Sequence, residues 1–96
     1  MRWVERRLLK ITGEIERLRR EEELAAGELG MHQHLDDDAV RDALVTEAPA
    51  DRAEARQTGK DVARLQSALA DLRQKIERLN RKRDKLLERL NRREPA

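Results

Sequence analysis

The sequence predicts an all-α fold: an antiparallel two-helix coiled-coil hairpin carrying a small helical, acidic tip. Three observations predict it. Charged residues make up 44% of the chain, and Leu, Ala, Arg and Glu dominate, which is the composition of long helices. Apolar residues recur at alternating steps of four and three in two stretches, a period that under-wound helices satisfy by supercoiling. The two stretches are also numerically complementary, as a chain doubling back on itself requires.

The first stretch places Leu8, Ile15, Glu22 and Leu29 at heptad position a, with Val4, Ile11, Leu18, Ala25 and His32 at d. The second places Val62, Leu69, Ile76, Arg83 and Leu90 at a, with Leu65, Leu72, Leu79 and Leu86 at d. An antiparallel pair stacks a on d. Val4 opposite Leu90, Leu8 opposite Leu86, Ile15 opposite Leu79 and Leu29 opposite Leu65 have residue numbers adding to 94. Every other a and d position obeys the same total, so nine layers close without a register slip. This predicts a single domain over 1–96, with a first long helix over 2–32 and a second over 51–93.

Charges beside the seam support the register. Glu14 is expected near Lys82 and Glu21 near Lys75, each exposed pair worth ~0.2–1 kcal/mol. Two seam positions are polar. Glu22 is expected beside Arg19 and Arg73, and Arg83 near Glu14. Such long side chains reach the edge of a seam, find partners there and help to fix register.

Residues 33–50 form the predicted tip. Leu35 and the Asp36-Asp37-Asp38 run precede Ala39–Val45, which reads as a short helix near 37–47 with an acidic start. Leu35, Val40, Leu44 and Val45 are expected to hold this lobe against the second long helix, with a flexible tip as the alternative. Pro49 breaks the chain, and Asp51 is the candidate N-cap of that second helix. Gly59 weakens it by ~1 kcal/mol relative to alanine.

Charge is divided along the chain. Residues 1–20 hold seven basic and three acidic side chains, residues 21–61 four and twelve, and residues 73–96 ten and four. A hairpin would gather the basic segments at its base and the acidic segment at its tip, so a charged partner would orient it on approach. The acidic tip suits a basic channel, groove or patch on a protein. Its candidate contacts are Asp36, Asp37, Asp38, Asp42, Asp51, Arg52 and Ala53. The basic base suits an acidic protein surface, an anionic membrane or nucleic acid phosphate. Arg78, Arg81, Lys82, Lys85, Arg89, Arg92 and Arg93 make a basic face, but acids interrupt it and no aromatic offers a stacking platform. That pattern fits non-specific nucleic acid contact rather than sequence recognition. Trp3, Leu9 and Leu87 lie outside the seam near the base, which reads either as end packing or as the contact of a homodimeric four-helix bundle.

Catalytic and metal-binding chemistry is not expected. With no cysteine there is no disulfide framework, thiolate metal site or cysteine nucleophile. His32 and His34 diverge by about 200° on a helix, and no third ligand follows at a defined spacing. The Asp36–Asp38 run reads as helix capping, with attraction of a divalent cation as the alternative. No serine–histidine–acid set, glycine-rich phosphate loop or calcium loop is present, so no enzyme, cofactor or metal site is expected. No apolar run exceeds three residues, so neither a membrane span nor a signal peptide is expected, and a cytoplasmic location is the default.

Pro49-Ala50-Asp51-Arg52-Ala53 resembles the Pro-x-Asp-Arg-Ala stretch at the coiled-coil tip of the DksA/TraR family. Those transcription factors, like the Gre factors, insert an acidic coiled-coil tip into the secondary channel of RNA polymerase. The resemblance implies that Asp51 is the tip aspartate and Ala53 the tip alanine. Ala48 stands where the family often has another aspartate, and without cysteine the family's zinc-binding globular domain is missing. The chain is also similar to small uncharacterised coiled-coil proteins of high-GC bacteria, a setting that its preference for Arg over Lys fits. The function expected is a non-enzymatic adaptor or transcription regulator whose acidic tip binds a protein partner, RNA polymerase being the specific candidate. The alternatives are a self-assembling structural coiled coil and a nucleic-acid binder.

Overall fold

The computed structural model describes residues 2–93; Met1, residues 94–96 and the side chain of Arg93 lie outside that description. Two helices, α1 (Trp3–Thr46) and α2 (Pro49–Arg93), make an all-α hairpin. The chain divides into two compact units, Met1–Glu22 with Asp71–Ala96, and Glu23–Ala70.

The first unit holds the buried apolar cluster. Val4, Ile11, Ile15 and Leu18 of α1 are buried with Ile76 and Leu86 of α2, and Leu8, Leu72, Leu79 and Leu90 pack against them. All ten are a or d residues of the predicted seam. The polar seam residue Glu22 accepts from the Arg73 Nε at 3.1 Å, the neighbour expected for it. Arg83 is half-buried and lies 4.0 Å from Asp84 on its own helix rather than reaching Glu14. Neither the Glu14–Lys82 nor the Glu21–Lys75 ion pair forms among the described residues. Glu21 instead pairs with Arg17 at 2.7 Å, a partner one turn away that needs no reach between helices.

The second unit departs from expectation. No separate lobe occupies 33–50 and no isolated helix spans 37–47, because α1 runs unbroken to Thr46 and α2 begins at Pro49. Neither glycine nor proline interrupts α1 after Gly30, and Arg41 pairs with Asp38 at 2.8 Å on the same face. The seam also continues, with small or polar residues. The register sets Asp36, Ala39 and Ala43 opposite Thr58, Ala55 and Asp51, each pair of numbers again adding to 94, and all six are buried or half-buried. The Thr58 hydroxyl donates to Asp36 at 2.7 Å, and Ala39 is buried. Leu35, Val40, Leu44 and Val45 therefore fall outside the seam and are exposed, where a folded-back lobe would have covered them.

A two-residue connection, Glu47-Ala48, closes the hairpin. Glu47 takes a left-handed backbone with φ 55°, and its N–H donates to the Ala43 carbonyl at 3.0 Å, which ends α1. The Ala48 N–H donates to the Thr46 hydroxyl oxygen at 3.3 Å, and that hydroxyl also lies against the Asp51 carboxylate. Pro49 begins α2, where its missing N–H leaves no bond unmade. Asp51 is consequently the third residue of α2 and not its N-cap; Ala48 holds the cap position.

Left-handed backbone costs a residue with a Cβ about 1–2 kcal/mol, and glycine avoids that strain. Glu47→Gly is expected to raise the unfolding free energy by roughly 0.5–1 kcal/mol, net of the extra freedom glycine has when unfolded. Thermal denaturation followed by circular dichroism checks this. A lower midpoint would mean that the Glu47 side chain contributes more than its backbone strain costs.

Candidate protein-binding surface

The helical repeat disperses the acidic run. Successive residues turn by about 100°, so Asp36, Asp37 and Asp38 cannot present one carboxylate cluster. Asp36 turns into the seam toward Thr58, while Asp37 and Asp38 are exposed. Asp38 is engaged by Arg41 and lies 3.9 Å from His34. Asp42 is exposed, Asp51 is half-buried against Thr46, and Ala53 is exposed on α2. Arg52 donates to the Glu47 carbonyl at 2.6 Å and so braces the turn. Of the seven residues expected to meet a partner, Asp36, Asp51 and Arg52 serve the hairpin itself. Among the described residues, no group of three or more His, Cys, Asp or Glu is placed to hold a metal ion.

Apolar side chains supply what the acidic residues alone do not. Leu44 is 72% exposed and Val45 82% exposed, at the end of α1 between Asp42 and Glu47. Val40, Ala43 and Leu44 line an open cavity of 440 Å³ that Glu47, Arg52 and Ala55 complete. Farther back on α1, Leu24 and Met31 are 75% and 68% exposed, in line with Leu35. Their signal was present in the sequence. Leu24, Met31 and Leu35 stand seven and four apart, a second apolar period displaced from the seam.

In the first unit, Trp3 and Leu9 do not share a surface. Six residues of helix put them about 120° apart around α1. Trp3 lies beneath the Arg89 guanidinium, 5.7 Å from ring centroid to Cζ, and lines a groove with Ile11 and Leu86. Leu9 and Leu87 are exposed and take no part in that groove.

No described helix is long and apolar enough to cross a membrane. No family model matches the chain, and neither the curated proteins nor the solved structures compared with it yield a match.

Proposed function

We propose that this hairpin is a non-enzymatic adaptor or regulator that binds a protein partner through its turn. The exposure of Leu44 and Val45 carries this reading. Neither side chain is needed to pack α1 on α2, and both sit beside the uncommitted carboxylates of Asp42 and Glu47. Isolated exposed apolar residues are ordinary, but an apolar group bordered by acids at a tight turn suits a partner with an apolar pocket and a basic rim. Asp37 and Ala53 extend the same face-outward set. Within this class, RNA polymerase is the specific candidate on the strength of the Pro49–Ala53 stretch, and the protein would then regulate transcription. The half-burial of Asp51 shifts the expected contact toward Asp42, Leu44 and Glu47.

Affinity capture from the native host, with the intact chain as bait and mass spectrometry as readout, tests the proposal. Leu44→Glu combined with Val45→Glu should leave helicity unchanged and reduce partner recovery at least about tenfold, a loss of ~1.4 kcal/mol or more. Equal recovery by both baits would remove the turn as the contact. Purified RNA polymerase from the same host decides the narrower candidate, since no binding at micromolar concentration eliminates it.

A further inference from the structure

We propose that a groove along the first unit seats the outer, acidic face of α1 from the second unit of another copy of this chain. The groove lies between α1 and α2. Its floor is the edge of the apolar seam, the buried Ile11, Leu18 and Leu86 with half-buried Leu79, and Trp3 closes one end. Two adjoining cavities of 310 and 270 Å³ make it up, and they share Lys82. Arg7, Lys85 and Arg89 wall the first; Arg17, Lys75 and Arg78 wall the second. Glu14 is the single carboxylate in the lining against seven cations, of which Arg17 is already paired with Glu21. From Lys75 to Arg89 the groove runs fourteen residues, about 21 Å at 1.5 Å per residue.

An apolar floor between cationic walls selects an occupant with the inverse pattern, an apolar ridge flanked by carboxylates. A phosphate backbone would satisfy the walls and leave the floor facing polar groups. The chain itself contains the inverse pattern. Leu24, Met31 and Leu35 form an exposed ridge eleven residues long, about 16 Å, which fits within the groove. Glu23 and Glu28 border this ridge. Nothing lies within 4 Å of where a Cβ would stand on Gly27 or Gly30, so a neighbouring helix can approach the backbone there. Residues 21–46 of α1 hold eight acidic side chains and one basic, Arg41. Across the units the imbalance persists: the first carries 17 basic and 10 acidic residues, the second five and ten.

The ridge excludes Leu44 and Val45, so self-association and capture of a partner at the turn use different side chains. One helical face in one groove is small beside stable interfaces of about 1,200–2,000 Å². Association in the micromolar range, steered by charge and weakened by salt, is the expected behaviour.

Sedimentation velocity of the full chain over roughly 10–500 μM tests it. At low salt the mass should rise toward two chains, and the dissociation constant should weaken at least about tenfold at high salt. Lys82→Glu with Lys85→Glu reverses the groove, and Glu23→Lys with Glu28→Lys reverses the acidic face. Each double variant alone should stay monomeric with unchanged helicity. Their mixture should associate, because one retains the groove and the other retains the face it receives. Met31→Glu, exposed and outside the seam, provides a separate loss of association should a double variant fold poorly. A wild-type chain that stays monomeric at low salt overturns the proposal. So does either double variant that associates like the wild type, or a mixture that fails to associate. Retardation of a DNA fragment without self-association would assign the groove to phosphate and equally overturn it.

Discussion

Ile15→Ala is expected to lower the unfolding free energy by about 2–5 kcal/mol. Ile15 is 3% exposed and lies among Ile11, Leu18 and Ile76 in the buried cluster of the first unit. Only eight apolar residues are buried among those described, and two of them, Ala39 and Leu69, lie in the second unit. A chain with so few large buried groups sits near the low end of the usual 5–15 kcal/mol of stability. Truncating the isoleucine to alanine therefore takes a large share of the total. Urea denaturation followed by circular dichroism measures the change, with exposed Leu24→Ala as the comparison, expected within about 0.5 kcal/mol of wild type. If Ile15→Ala also fell within that margin, the seam would not be what holds the helices together.

Ala39→Leu is expected to destabilise by about 1–3 kcal/mol, against the ordinary rule that leucine improves a d position. Ala39 is buried, and the register sets it opposite Ala55, with the Asp36–Thr58 hydrogen bond one layer away. Helices that meet through small side chains lie closer than those that meet through leucine, so the added isopropyl group is expected to overpack this layer. Val40→Leu, one residue on and outside the seam, is the control and should be nearly neutral. The same denaturation experiment applies. A stabilised Ala39→Leu variant would show that the second unit has space in its seam.

These two substitutions also mark where the fold was legible from residues alone. Every member of the apolar cluster in the first unit could be placed by spacing, because Leu, Ile and Val announce a buried position by type. The Glu22–Arg73 pair came from the same register. In the second unit the seam passes through Asp36, Ala39, Ala43, Asp51, Ala55 and Thr58, residue types that carry no apolar period. The apolar residues nearby, Leu35, Val40, Leu44 and Val45, pointed instead to a folded-back lobe. Arithmetic held the answer, since the total of 94 continues through all three added layers. Composition concealed it. The candidate contact surface was legible to a similar degree. Asp37 and Asp42 are exposed as expected, whereas Asp36, Asp51 and Arg52 are drawn into closing the hairpin. Proline at the start of α2 was visible as a break, but nothing in residue type foretold that Glu47 would adopt the left-handed turn.

The two-residue connection couples the lengths of the two arms. Deleting one residue from either helix would rotate everything beyond it by about 100° and set every later layer against the wrong neighbour. Only matched changes, a heptad gained or lost by both arms together, leave the pairing intact. Inherited variation in such a molecule is therefore confined to symmetric lengthening or shortening about Glu47-Ala48.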